Sequence, residues 1–473
     1  MKQFYFKIEK KTFFTLFLGM FLLLVNQGIY AAGTYTTTTA GGAWSDPNTW
    51  VGSAPPAVTN TSDIIIINGD VTLTLNSGNT VLSTANTPNR YTFSIGSITI
   101  AQGKTLNVIS LDGSANIPYY FTIGSSTVPS TINGNLYFDN TIFGGKTITS
   151  VTVSSTGSFI ESKPVSISTT ANSILTNYGT ITTATLAPNA TAKIDNYGTI
   201  NYIGFSSSTT ATTTNFAGAF FNSPTGGTIA GIFKNYGTYT TAAFSGGATI
   251  ANFYNYSTGV LNFTGGTMSA TNLNLYVSDP GNTVNYSLAN SQTIKLPADA
   301  SYSNLILSSS GTKTIPTAAS GTLCTGTLSI TDTAKASITN TNVAVGGLNL
   351  GGVAQSDNTY GGASSTAVIK NSTYFTGTGY ITVQNLGITS FSANEMKLYP
   401  NPSIGGKFTI SLPSMEQDSN VLILNLAGET LYKTTIPAGE ISGINPNITL
   451  ATGIYLVKME QAGNSVTKKL IIQ

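Results

Sequence analysis

Asn177-Tyr178-Gly179-Thr180 returns as Asn196-Tyr197-Gly198-Thr199 and again as Asn235-Tyr236-Gly237-Thr238. Two degenerate copies, Asn215-Phe216-Ala217-Gly218 and Asn255-Tyr256-Ser257-Thr258, complete the series. The five asparagines are spaced 19, 19, 20 and 20 residues apart. A constant period near this length marks a solenoid, whose units stack because none can bury its own apolar face. No helical period fits between the copies, so each unit reads as one β coil. Coils pair edge to edge at about 4.8 Å, which sets like residues above one another. In this reading Asn tolerates a positive φ at a turn, Gly supplies the tight bend, and stacked amides bond along the axis as in cross-β ladders. Tyr178, Tyr197, Phe216, Tyr236 and Tyr256 then form an aromatic column. It is either a structural ladder or a solvent-facing strip, with Tyr178, Tyr197 and Tyr236 as glycan contacts.

The composition agrees with an all-β chain. Only 8% of the 473 residues are charged, against about 25% in an average globular protein. Thr, Ile, Val, Tyr and Phe suit a pleated surface, and Gly, Asn and Ser suit turns. Four of the 20 basic residues (Lys2, Lys7, Lys10 and Lys11) crowd the first eleven positions beside one acid, Glu9. Without that segment 16 basic residues stand against 17 acidic ones, and Arg90 is the sole arginine. A phosphate backbone needs clustered cations, so no nucleic-acid partner is expected.

The basic start, the apolar run from Phe13 to Val25 and the small residues Ala31 and Ala32 read as a secretory signal peptide over 1–31. The run is too short to span a bilayer. A β head is expected over 32–120, and it holds both tryptophans, Trp44 and Trp50. They either plug the open end of the β stack as a cap or offer a sugar-stacking site. The run Ile64 to Ile67 reads as a buried strand, with a turn at Asn68-Gly69-Asp70 before the alternating Val71 to Leu75. The repeats occupy 121–275.

Chemistry is constrained by what is missing. The chain has no histidine and one cysteine, Cys324, which excludes Ser-His-Asp and Cys-His nucleophile systems and histidine metal sites. Eleven acids lie between residues 33 and 391. A glycosidase needs two of them within about 5 to 9.5 Å, and Asp195 has only threonines at its equivalent positions, 176 and 214. Asp46, Asp63 and Asp70 do not follow a calcium-loop spacing. No catalytic residue, metal or cofactor is therefore expected. A flat threonine array for ice or mineral is weakened because Ala219 interrupts the row of Thr180, Thr199 and Thr238.

Three stretches resemble known families. Trp44-x5-Trp50, Pro55-Pro56 and Asp63-Ile64-Ile65-Ile66 are similar to the opening module of many Bacteroidetes surface proteins and, more distantly, to G8-type modules. Residues 276–390 resemble modules of Bacteroidetes adhesin-like proteins, through Val284-Asn285-Tyr286-Ser287, Tyr302-Ser303-Asn304-Leu305 and Tyr374-Phe375-Thr376-Gly377. From 392 to 473 the charge density rises, and a series of motifs appears in order. They are Leu398-Tyr399-Pro400-Asn401-Pro402, a strand ending at Gly428, Gly453-Ile454-Tyr455 and Lys468-Lys469-Leu470-Ile471-Ile472. This tail resembles the type A C-terminal sorting domain of the type IX secretion system, with Asn425 where that family more often has Asp. The resemblance implies an immunoglobulin-like β-sandwich read by the secretion machinery and its sortase. It also implies delivery to the outer-membrane surface or the extracellular space, with possible attachment to anionic lipopolysaccharide. The expected molecule is thus a β-solenoid (β-helix-like) with an N-terminal β cap module and a C-terminal sandwich, serving as a structural or adhesive surface protein. A carbohydrate-active enzyme on a β-helix scaffold is the alternative.

Overall fold

The structure, a computed structural model, describes residues 33–473 other than 53, 57–58, 79, 84–89, 111–118, 125–127, 140–142, 162–165, 170, 247–249, 269–271, 340, 385–395, 412–417, 438–442 and 462–463. The expected signal peptide lies outside the described residues. Among those described there is no α-helix, only two short 3₁₀ turns at Pro47–Thr49 and Ile404–Gly406. The chain forms two compact units, residues 1–241 with 245–252, and 242–244 with 253–473.

In the first unit the strands pair in parallel with the strand one coil later, in a β-helix-like winding of three ladders, except that Val81–Ser83 pairs antiparallel with Arg90–Ile100. One ladder runs through Val151–Val153, Ile174–Asn177, Lys193–Asn196, Thr212–Asn215 and Ile232–Asn235. A second runs through Asn135–Asp139, Ser158–Glu161, Thr180–Pro188, Thr199–Ser206, Phe220–Ser223 and Thr238–Thr241. The third includes Tyr119–Ile123, Phe143–Ile148, Ser166–Thr169 and the later halves of the long strands. Register makes the core one-dimensional. Leu136, Phe159, Ile181, Ile200, Phe221 and Tyr239 stand opposite one another in succession and are all fully buried. Each such burial is worth about 1.5–3 kcal/mol.

The Ile64 to Ile67 run alternates instead of being wholly buried. Ile65 and Ile67 are buried, while Ile64 and Ile66 are half-buried, as expected for a strand with one face inward.

The first four repeat asparagines are buried to 0% exposure and joined side chain to side chain. Asn177 Nδ2 donates to Asn196 Oδ1, Asn196 to Asn215 and Asn215 to Asn235, each at 2.8 Å. The same nitrogens also reach backbone carbonyls of the next turn, Thr199, Phe220 and Thr238. The column starts at Asn177, whose Oδ1 has no partner because the residue opposite it in the preceding coil is Val153. Two expectations need correction here. None of these asparagines has a positive φ, and neither do Gly179, Gly198 and Gly237. The glycines are required by close approach instead. A Cβ on Gly198 would sit 2.2 Å from Gly179 O, and one on Gly237 2.4 Å from Ala219 O.

The second unit continues with parallel pairs, Val260–Phe263 to Thr283–Tyr286 to Asn304–Leu307 to Gly321–Ile330 to Asn342–Leu350. Its parallel run ends on an antiparallel pairing of Thr359–Gly361 with Tyr380–Val383. Inside, the Tyr286 and Tyr302 hydroxyls meet at 3.0 Å, and burial raises the Tyr286 phenol to about 12. Lys313, with no exposed surface, donates to the carbonyls of Leu288 and Asn290. Desolvation pulls its ammonium down to about 8. Cys324 is buried and donates to Ser303 O at 2.9 Å. Burial pushes its thiol up to about 12, which makes it inert.

The strands of residues 397–473 pair antiparallel, and Ser403 adds a parallel bridge to Ile472. Lys397–Tyr399, Thr409–Ser411 and Gly443–Ile444 form one sheet. Thr430–Ile436, Ser419–Leu424, Gly453–Gln461 and Asn464–Ile472 form the other. Both contribute to one core that includes Phe408, Ile410, Val421, Ile423, Val457 and Leu470.

Candidate functional surfaces

The aromatic residue after each repeat asparagine points outward at a coil corner. Tyr178 stacks on Tyr197 with centroids 4.8 Å apart and planes 12° apart. Tyr197 stacks on Phe216 at 4.0 Å and 9°, and Phe216 on Tyr236 at 6.4 Å and 15°. Tyr178 and Tyr197 are 47% and 41% exposed, whereas Phe216 and Tyr236 are half-buried. Tyr236 therefore reaches the other tyrosines only through Phe216. In the second unit Tyr256 stacks on Tyr254, and Tyr254 on Tyr276 at 4.6 Å.

Stacking consumes the ring faces. What the column offers to solvent is ring edges about one coil apart, with phenolic hydroxyls at Tyr178, Tyr197 and Tyr236 and none at Phe216. Burial first, then the nearby Asp195 carboxylate and Tyr178, raise the Tyr197 phenol above its ordinary value. Its hydroxyl is a protonated donor at neutral pH. Burial also raises the Asp195 carboxyl, and Lys193 offsets part of this.

The columns beside the rings carry charges of both signs. Thr176, Asp195, Thr214 and Lys234 stand in register, as do Ile174, Lys193, Thr212 and Ile232. On the other side the threonine row is Thr180, Thr199, Phe220, Thr238. It is broken by Phe220 and not by Ala219, because the turn at 216–219 is two residues longer than Tyr-Gly and bends at Gly218 with φ +80°. Phe220 is 47% exposed, so no flat hydroxyl array forms.

Trp44 and Trp50 turn inward, at 6% and 2% exposure. Their rings meet edge to face at 4.9 Å, Trp50 Nε1 donates to Trp44 O at 2.7 Å, and Trp44 packs on Phe93. Neither indole leaves a face open to a sugar.

Four of the eleven acids between 33 and 391 accept from the backbone of another coil, and Glu161 accepts from Thr183 Oγ1 at 3.0 Å. Asp63 Oδ1 accepts from Gly33 N at 2.9 Å and Asp70 Oδ1 from Thr105 N at 2.8 Å. Asp299 accepts from Val277 N and Ser278 N, and Asp332 from Ser309 N. Asp46 caps its own 3₁₀ turn through Asn48 N. Asp112 and the Asp139 side chain lie outside the described residues. Among the described residues no three acids or thiols converge as a metal set.

In the C-terminal region the motif residues do structural work at the chain's end. Asn401 Nδ2 donates to Lys469 O at 2.7 Å, and its Oδ1 accepts from Ile471 N at 2.9 Å. One side chain thus takes the place of a neighbouring strand along the edge of Asn464–Ile472. Ser403, which the sequence reading passed over, continues the clamp: its N–H donates to Ile471 O and its carbonyl accepts from Gln473 N, both at 2.8 Å. Pro400 and Pro402 flank Asn401, each after a cis peptide bond. Leu398 packs against the core, Tyr399 is 52% exposed, and Tyr455 donates to Ala451 O at 2.9 Å beside Gly453. Lys468 and Lys469 lie on the last strand, with Lys469 exposed. Asn425 closes a turn with Gly428, at φ +86°. Its Oδ1 accepts from Ala427 N and Glu429 N, and its Nδ2 donates to Glu429 Oε2. An Asp would serve the first two bonds and lose the third.

Residues 397–473 match the family model of the secretion system C-terminal sorting domain. No curated protein and no solved structure matches the chain. The sorting domain marks the chain as cargo of the type IX secretion system. The chain therefore engages that machinery and is carried out of the cell, to be secreted or attached at the surface.

Proposed function

We propose that the exported chain is a structural or adhesive surface protein, a β-solenoid that contacts hydroxyl-rich glycans along its aromatic column. The observation that carries this reading is the in-register stack of Tyr178, Tyr197, Phe216 and Tyr236, with the first two rings nearly half exposed. Burying such side chains would be the default, since an aromatic ring stabilises a core. A column of edges and hydroxyls at coil spacing suits a polymer that presents a donor or acceptor at every residue. The neighbouring columns mix Asp195 with Lys193 and Lys234, and this near balance of sign favours a polymer without a strong charge of its own. The inter-coil bonding of Asp63, Asp70, Asp299 and Asp332 supports a structural role for these carboxylates over a catalytic one.

The two packed antiparallel sheets of the tail support an immunoglobulin-like sandwich of type A. In this reading the tail is removed by the machinery's sortase after export, and the cargo is either released or joined to lipopolysaccharide. The test is binding to a panel of immobilised neutral polysaccharides, with Tyr178→Ala/Tyr197→Ala as the comparison. Loss of retention in the double variant, with an unchanged melting temperature, is the expected result. Equal retention of both proteins, or release of shortened glycan by the wild type, would overturn the reading.

A further inference from the structure

Gly443–Ile444 pairs antiparallel with Thr409–Ser411, and Ile444 stands opposite Ile410. One residue further, Thr409 Oγ1 donates to Asn445 Oδ1 at 2.6 Å, and the pairing stops. Pro446 follows, and it has no N–H with which to extend a ladder. Residues 445–450 belong to no strand. Their side chains nevertheless alternate between exposed and inward-turned, as along an extended chain.

Where the pairing ends, an open cleft of about 620 Å³ separates this segment from 405–409. Its lining is mixed: Pro400, Phe408 and Leu450 supply apolar surface, Thr409, Asn445 and Asn447 polar surface, and Lys407 is its one charged residue. Phe408 and Leu450 themselves are 5% and 8% exposed. Next to the lining residue Gly405 stands Ile404, 82% exposed, the most exposed large apolar side chain among the described residues. Its loop is held in place. Ser403 Oγ donates to Lys407 O, Gly405 N donates to Gln473 O at 3.1 Å, and Gly405 and Gly406 take positive φ.

An extended segment without a backbone partner, an open cleft of mixed lining beside it that can take both backbone and side chains, and a fixed isoleucine held in water are the parts of a strand-addition site. We infer that an extended segment of the type IX secretion machinery adds as a strand beside 445–450 and seats an apolar side chain between Phe408, Leu450 and Ile404. The occupant follows from the domain: a sorting domain must be read by the machinery. This inference rests on the assignment of the chain as type IX cargo.

Ile404→Ser and Asn447→Pro test it in a host with an active type IX system. Both side chains are exposed, so the purified variants should melt with the wild type. The exported fraction should drop about tenfold, the effect of losing one apolar anchor or one backbone donor from an interface. Should Asn447→Pro fail to fold, Ile404→Ser decides alone. Wild-type export of the folded variants, with a 397–473 deletion still retained in the periplasm, overturns the inference and leaves the cargo assignment intact. Export of the deletion overturns the assignment itself. Normal export combined with loss of a dimer in the variants would make a second copy the occupant and overturn the inference as well.

Discussion

At the scale of single residues, the molecule depends on polar groups that are buried and paired. Asn196 receives one amide bond and gives another, and it also bonds Phe220 O. Replacing it by Ala leaves Asn177 and Asn215 facing a gap, and an orphaned buried polar group costs about 1–3 kcal/mol. Asn196→Ala should therefore lower unfolding free energy in a denaturant titration well beyond the effect of Tyr197→Ala, whose ring is exposed. The positions of these asparagines were legible from spacing alone. Their burial and the direction of their bonds were not, because a period fixes which residues align and not which way a side chain turns. Trp44 and Trp50 show the same limit, since their spacing fits a plug and a sugar site equally.

Lys313 makes a pH prediction. Its ammonium titrates near 8 in the folded chain and near 10.4 when unfolded. Between these values the unfolded chain binds more protons, so stability rises with pH across that window. Relative to Lys313→Met, the wild-type melting temperature should gain between about pH 7.5 and about pH 9.5. The raised Cys324 and Tyr286 groups act oppositely at higher pH, but they are present in both proteins and cancel in the difference. A constant difference would contradict the burial of Lys313.

At the scale of elements, coils are set as close as their backbones allow. Gly198→Ala puts a Cβ 2.2 Å from Gly179 O, and a carbonyl in a ladder cannot step aside. The cost should reach at least the ~1–3 kcal/mol of ordinary overpacking, with amide-exchange protection lost in strands Lys193–Asn196 and Thr199–Ser206. Gly218→Ala is the control, since no atom lies within 4 Å of its Cβ position, and only the ~1–2 kcal/mol cost of a left-handed φ applies.

Coil length was readable because it leaves a period in the sequence, whereas the sandwich of the tail came only from its resemblance to a family. The exchange of Phe220 into the threonine row was not readable. A turn lengthened by two residues looks, in sequence, like one more degenerate copy. Ser403 was missed for a related reason. A serine after Pro-Asn-Pro carries no pattern, and its importance comes from backbone groups that meet the last strand 70 residues away.

At the scale of the whole molecule, charge is sparse and balanced once the basic first eleven residues are set aside. Contacts made by such a surface owe little to Coulomb attraction, which salt screens. Retention on a neutral polysaccharide should be the same in dilute buffer and at high ionic strength, and a steep loss with salt would point to an ionic ligand. The match to the sorting-domain family is confined to the tail. Residues 397–473 fused to a periplasmic passenger should carry it across the outer membrane, as assayed by its appearance in the medium or on intact cells.

The amide column has a head and a tail. Every Nδ2 points the same way, and the one oxygen left over belongs to Asn177. A duplicated coil inserted in register, for instance a second copy of 177–195, would accept one bond and pass on another. The number of unsatisfied groups would stay at one for any number of coils. Such an architecture can grow by tandem duplication without paying a penalty for each added turn, and its length is free to vary between otherwise similar chains.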